Sequence, residues 1–347
     1  MLSSNALIHA PPLSAFLKTP LFPLTDTKHG TVCSSMAASA RIAVVGDVHD
    51  DWSLEEDTKA LQFLQPDLVL FTGDFGNENV ELVQSVADLE FPKAVILGNH
   101  DSWTTQQFSA KGKDGVQLQL ESLGEQHVGY RRLDFPALKL SIVGGRPFSC
   151  GGEQLFRKKL LSARYGVKDM EGSTRKIYNA ALGTPEDHMV IVLAHNGPTG
   201  LGSNLNDICG KDWVFGAGDH GDPDLEQAIS HLKQTTNLSI ALVVFGHMHK
   251  ELAYGNGLRK MIVVGADNRI YLNGAIVPRV KASISGQEGA SRSFTNDDIP
   301  ASERTTRAFT VVDILEGRVD NVTETWVSVC GDKTSLQEEH LLFKYSN

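Results

Sequence analysis

The chain has 347 residues, 41% of them hydrophobic and 21% charged, with a formal net charge of -10 at pH 7. This length can bury one large domain or two small ones, and no run of 18 apolar residues calls for a membrane-spanning helix. The acidic balance excludes a protein that coats nucleic acid through a basic face, but not one that acts on anions, because bound cations can set the field inside a cleft.

The first forty residues hold ten Ser or Thr, prolines at 11, 12, 20 and 23, a single acidic residue, Asp26, and no arginine. Hydroxyl-rich, acid-poor composition of this kind resembles a plastid transit peptide. Residues 1–38 are accordingly read as a targeting segment without fixed structure and the mature protein as stromal, with a cytoplasmic chain as the alternative.

From Arg41 onward the pattern alternates. A strand over 41–46 precedes a helix that starts at Ser53, an N-cap with Glu56 three residues on. A strand over 67–72, a helix over 78–89 and a strand over 94–97 follow, giving β-α-β-α-β with a parallel core. Residues 132–135 and 138–143 suggest a hairpin around Pro136. Helical spacing then recurs over 153–163 and 172–182, and a strand is expected at 189–194. A Gly-, Asn- and Asp-rich loop, 196–222, leads to a helix near 224–233 and a strand over 239–245.

The remainder, at 260–264, 269–272, 308–314 and 319–329, reads as successive antiparallel strands, with the polar segment 283–306 as a mobile excursion. The order of elements fits two mixed sheets flanked by helices better than one doubly wound sheet. One domain over 40–330 is expected, with 145–235 as its variable helical and loop region and 331–347 as a C-terminal tail. Cys33, Cys150, Cys209 and Cys330 form no C-x-x-C pair, which excludes a thiolate zinc site and a disulfide framework and suits free thiols in a reducing compartment.

Five apolar runs each stop at side chains that bind metals. They end in Asp47-Val-His49, in Asp74, in Asn99-His100-Asp101, in His195 and in His247-Met-His249. Ligands collect at the carboxyl ends of strands in layered α/β folds. In extended backbone, residues i and i+2 point to one side, so Asp47 with His49, and His247 with His249, can each present two ligands to one place. A donor set of carboxylates, imidazoles and one amide, without thiolate, suits Mn, Fe or Zn. A carboxylate such as Asp74 can bridge two cations, which then lie about 3.5–4 Å apart.

Taken together and in this order, Asp47-x-His49, Gly73-Asp74, Gly98-Asn99-His100-Asp101, Ala194-His195 and Gly246-His247-x-His249 resemble the signature of the calcineurin-like metallophosphoesterase superfamily. The resemblance covers roughly residues 41–250. It implies a four-layer α/β/β/α sandwich and two divalent metal ions, one on Asp47, His49 and His249, the other on Asn99, His195 and His247, with Asp74 shared. It also implies hydrolysis of phosphate esters by metal-activated hydroxide, with His100 as general acid. Asp101 and Asn77 are the candidates to orient His100; many relatives place an Asp near position 77.

Gly73-Asp74-Phe75-Gly76-Asn77 and Leu97-Gly98-Asn99-His100-Asp101 depart from the protein Ser/Thr phosphatase branch, so the expected substrate is a small phosphorylated molecule rather than a phosphoprotein. A phosphodiesterase for cyclic nucleotides or nucleotide-like diesters is the alternative, and a non-catalytic metal-binding scaffold the second. Arg146, in a glycine-rich connection, and Asn196, directly after His195, are candidate substrate contacts. Lys211 and Trp213 lie in the long loop without a fixed direction, and the basic run Phe156–Arg164 reads as the solvated face of a helix. No partner protein, membrane surface or oligomeric state is legible.

Overall fold

The computed structural model of the chain describes residues 39–109, 111–282 and 304–346. The targeting segment 1–38 and most of the 283–306 excursion lie outside the described residues. The chain divides into Met1–Met36 and Ala37–Asn347, and all described residues fall in the second unit. Among them no helix is long and apolar enough to cross a membrane.

Two β-α repeats open the fold: β1 (Ser39–Val45), α1 (Leu54–Leu64), β2 (Leu68–Phe71), α2 (Val80–Ala87) and β3 (Lys93–Val95). Ser53 caps α1 by accepting from the Glu56 amide, and Asn79 caps α2 by accepting from that of Leu82. These bonds satisfy amides that a helix start leaves unpaired. α3 (Gly115–Leu123) leads to the hairpin of β4 (Arg132–Phe135) and β5 (Leu140–Gly144), with Pro136 in the turn between them. Then come α4 (Lys158–Tyr165), α5 (Met170–Ala181), β6 (Met189–Leu193), α6 (Pro223–Thr235) and β7 (Ile240–Phe245). The chain continues through β8 (Ile262–Val264), β9 (Ile270–Asn273), β10 (Val280–Ala282), β11 (Arg304–Leu315), β12 (Arg318–Cys330) and β13 (Lys333–Lys344).

The strands form two mixed sheets, one in the order β13-β12-β11-β1-β2-β3 with β10 beside β11, the other β4-β5-β6-β7-β9-β8. Alternation along each strand explains how they stack. Ile42 and Val44 of β1 join Leu68 and Leu70 of β2, Ile191 and Leu193 of β6 and Leu242 and Val244 of β7 in one buried cluster between the sheets. The intervening Ala43, Val45, Val69, Phe71, Val190, Val192 and Val243 face outward, in a second cluster with Leu61 of α1, Val83 of α2, Ile177 of α5 and Leu225 of α6. The architecture is the α/β/β/α sandwich.

Three expectations change. β9 runs parallel to β7, because the chain between them crosses back to the start of the sheet, so the late strands are not all antiparallel. α4 starts at Lys158 rather than near 153, since Gly151, Gly152 and Arg157 all hold positive φ, which a right-handed helix does not accommodate. Residues 333–344, in the stretch read as a tail, form β13, paired along its length with β12.

Candidate metal centre

Each sequence-predicted ligand sits just past the carboxyl end of a strand. Asp47 and His49 follow β1, Asp74 follows β2, Asn99 and His100 follow β3, His195 follows β6, and His247 and His249 follow β7. The first three strands belong to one sheet and the last two to the other, so the stacked sheets bring five loops to one edge. Asp47, His49, Asp74 and His247 all hold positive φ, an unfavourable backbone for residues with a Cβ. Such strain concentrates at functional sites, where the surrounding fold imposes it. No Cβ fits at Gly98, which abuts the Asp74 carboxylate and the His195 ring, or at Gly246, which abuts Asp47. Gly98→Ala is therefore expected to push Asp74 and His195 apart and lower metal affinity about 10–100-fold, measured by equilibrium dialysis against Mn or Zn.

Ligand atoms of Asp47, His49 and His249 lie within 4.8 Å of one another, as do those of Asp74, His195 and His247, and those of His49, Asp74 and His100. Asp74 thus stands between two clusters. His49 Nε2 lies 3.0 Å from His249 Nε2, and His249 Nε2 lies 3.5 Å from Asp47 Oδ2. His195 Nε2 is 2.9 Å from Asn99 Oδ1 and 3.3 Å from Asp74 Oδ1. His195 Nδ1 donates to the Thr72 carbonyl at 2.7 Å, which fixes the ring and aims Nε2 inward. The His247 amide donates to Asp47 Oδ1 at 3.0 Å and the His100 amide to Asp74 Oδ1 at 2.9 Å.

The electrostatics ask for positive charge. Burial, with Asp74 nearby, pushes the Asp47 carboxyl up to about 6. Burial also opposes charge on His195, but Asp74 and Asp47 outweigh it and raise that imidazole to about 10. Burial likewise disfavours the charged Asp74, yet His195 holds this carboxyl below the usual range. By contrast, burial lowers His49, His247 and His249, which keeps them neutral and able to donate lone pairs. Asp47 Oδ2 is buried without a hydrogen-bond partner, at a cost that only a counter-ion or donor offsets. The carboxylate and imidazole donors, inward-turned and under-compensated, fit a divalent cation, whose binding would displace the His195 proton.

His100 stands beside the ligands. Its Nδ1 lies 2.7 Å from Asn77 Oδ1, and its ring stacks on Trp103 with centroids 4.6 Å apart. Asn77 is the orienting partner. Asp101 is not: its buried carboxylate accepts the amides of Gly98, Asp74 and Phe75 at 2.7–2.9 Å and so ties the loops after β2 and β3 together. Arg146 does not reach the site either. It is 1% exposed and paired with Asp222 and Asp224 at 2.7 and 3.0 Å. Asn196 donates to the His220 carbonyl at 2.8 Å and acts as a strut for that loop.

Residues without any motif complete the surroundings. His220 stacks against His247, with centroids 5.9 Å apart, and Trp213 meets His220 edge-on. Arg259 donates to the His249 carbonyl at 2.9 Å while pairing with Asp212. Arg157 donates to the carbonyls of Ser102 and Trp103 at 2.8 and 2.6 Å. Asp74, His100, His220, His247, His249 and Arg259 line an open cavity of about 560 Å³.

The family model for calcineurin-like phosphoesterases matches residues 40–251, the span from β1 to just beyond His249. The chain belongs to this family. It is a metal-dependent hydrolase of phosphoric esters. Among solved structures, this phosphoesterase is similar to a dimetal phosphatase from Danio rerio at 10% identity and a TM-score of 0.44, with 88% of this chain and 99% of that one covered. It is also similar to PhoD, at 9% identity and a TM-score of 0.42 over 90% and 73% of the two chains. A conserved uncharacterized protein from Streptococcus pneumoniae, described as a predicted phosphoesterase, aligns at 13% identity and a TM-score of 0.31 over 88% and 98%. No curated protein sequence matches this phosphoesterase.

Proposed function

We propose that this phosphoesterase hydrolyses small phosphorylated molecules at a centre for two divalent ions. Asp47, His49 and His249 would hold one ion and Asn99, His195 and His247 the other, with Asp74 between them. The observation that carries this reading is the place of Asp74, within 4.8 Å of ligand atoms from both His49 and the His195–His247 pair. Mn, Fe and Zn suit the donors. Ions bound there would supply Lewis-acid polarisation of the phosphoryl group and a low-pKa water.

The chain's own residues account for the rest. His195 is fixed by the Thr72 carbonyl, and the backbone clamp of Asp101 holds the loops bearing Asp74 and Asn99 in register. His100 directs Nδ1–H at the Asn77 amide oxygen, which leaves Nε2 to carry the proton for the departing oxygen. Trp103 shields one face of the ring and keeps its plane. Because Asn77 is neutral, it orients the ring without compensating its charge.

The reading is tested on the purified chain from Ala38 onward by metal content per chain and by hydrolysis of p-nitrophenyl phosphate and its bis ester. Two equivalents of metal with turnover of the monoester support it, and preference for the bis ester would move the assignment to a diesterase. Metal-replete protein inert toward both esters would leave a scaffold. His100→Gln is expected to slow alkyl phosphate hydrolysis about a hundredfold while affecting p-nitrophenyl phosphate far less, because p-nitrophenolate leaves without a proton. Equal losses on both substrates would remove the general-acid role. The N-terminal composition supports a stromal location, which import of the full chain into isolated plastids, with shortening, would test.

A further inference from the structure

A second cavity of about 850 Å³ adjoins the one over the metal centre. The two share Cys150 and His220 as lining residues, so they meet at the His220 ring that stacks on His247. The second cavity is ringed by Arg157, Lys158, Lys159 and Lys211, against two acidic residues, Glu153 and Asp219. Asp219 is already engaged, accepting from Thr199, Gly200 and Gly221. No hydrogen-bond or ion-pair partner among the described residues meets the ammonium groups of Lys158, Lys159 or Lys211. In a chain of net charge -10, such a concentration of uncompensated cations focuses a positive field at one place.

The wall between the cavities is built closely. Gly151 and Gly152 hold positive φ and pass against His220, with the Gly152 amide donating to its carbonyl at 3.0 Å. The same loop leads into Arg157, whose guanidinium grips the carbonyls of Ser102 and Trp103. One segment therefore carries Arg157, Lys158 and Lys159 and braces the turn that presents His100, while Lys211 comes from the long loop that holds His220.

We propose that the substrates of this phosphoesterase carry a second anionic group, a phosphate or its charge equivalent, which sits among Lys158, Lys159 and Lys211 while the ester to be cleaved lies over the metal centre. This rests on the hydrolase reading above and names the substrate class of that site. The part of the substrate between the two anions passes the His220 ring. Its length is therefore fixed by the protein, and a short or over-long spacer forfeits the second contact.

The test is calorimetric binding to the metal-replete chain of pentane-1,5-bisphosphonate against pentylphosphonate, with hydrolysis of alkanediol bisphosphates of increasing length beside it. The bisphosphonate is expected to bind at least about tenfold tighter, as a few charge-assisted contacts provide, with one spacer length giving the highest kcat/KM. In the Lys158→Gln, Lys159→Gln, Lys211→Gln triple variant the preference is expected to fall below about threefold, and in wild type it should shrink with added salt. Thermal unfolding of the triple variant establishes that it is folded. Hydrolysis of p-nitrophenyl phosphate without preference for two anions would overturn the inference and leave the hydrolase reading intact. A preference undiminished in the triple variant would place the second anion elsewhere and also overturn it. Failure to bind or hydrolyse any of these compounds would overturn both.

Discussion

Asp74→Asn is expected to lower kcat/KM for p-nitrophenyl phosphate by about 10³ or more and to cut bound metal to one equivalent or less. Asp74 is buried, and its carboxylate lies within 4.8 Å of ligand atoms of His49 and of the His195–His247 pair. Asparagine keeps the shape and the acceptor for the His100 amide, so the loop after β3 should hold its course. What is lost is charge: an amide oxygen neither offsets bound cations as a carboxylate would nor sustains the pair with His195. Without that carboxylate, burial returns His195 toward its neutral form, so the variant should also release fewer protons on taking up metal. Elemental analysis, a steady-state assay and a thermal melt separate these effects. A variant with full metal content and full activity would remove Asp74 from the centre.

Arg146→Met is expected to destabilise the fold by about 3–5 kcal/mol at pH 8, since it strips a buried arginine from two buried carboxylates. Methionine fills much of the space but leaves Asp222 and Asp224 uncompensated. Asp222 also accepts from Ser149 at 2.7 Å and lies 3.4 Å from Asn196 Nδ2, so the loops that carry His195 and His220 lose a common anchor. Asp224 takes a further hydrogen bond from Ser173, which itself meets Tyr130. Burial, aided by Asp224 and opposed by Arg146, already pushes the Asp222 carboxyl up to about 7.

Removing the arginine drives that carboxyl higher still. A carboxyl whose pKa is raised on folding binds more protons folded than unfolded, and its contribution falls as pH rises from about 4 through the folded value. The penalty of Arg146→Met relative to wild type should therefore be largest at pH 8 and shrink toward pH 5. Urea unfolding of both proteins at the two pH values checks the sign. A penalty that grew on acidification would contradict the assignment of Arg146 to this cluster.

The chemistry of the site is written largely in short stretches of the sequence. Asp-x-His, Gly-Asp, Gly-Asn-His-Asp and Gly-His-x-His each follow an apolar β-branched run, and a strand end is where such a run delivers a polar side chain. Local spacing therefore places Asp47, His49, Asp74, Asn99, His195, His247 and His249 without any knowledge of the fold. The Ser53 cap of α1 and the two-sheet order of elements are legible for the same reason, because they depend on neighbouring residues and on periodicity.

What spacing does not carry is direction across the chain. Asp101 adjoins His100 in sequence, yet its carboxylate turns away to three backbone amides, and the partner of His100 is Asn77. Arg146 sits in a glycine-rich connection that suggests a phosphate contact, but Asp222 and Asp224, more than seventy residues on, draw it into the interior. His220, Trp103 and Arg259 belong to no motif, and the lysines around the second cavity read from sequence only as a solvated helix face and a loop position without direction; the stacking of one sheet on the other and the course of the long loops bring them to the metal edge. β13 reads as a tail because its outward side chains are mostly polar, and its place as a strand comes from the partner it pairs with, β12. The residues that could hold metal follow from local rules of strand and turn. The cavities beside them, and hence the choice of substrate, follow from contacts between segments far apart in sequence, which only the folded chain defines.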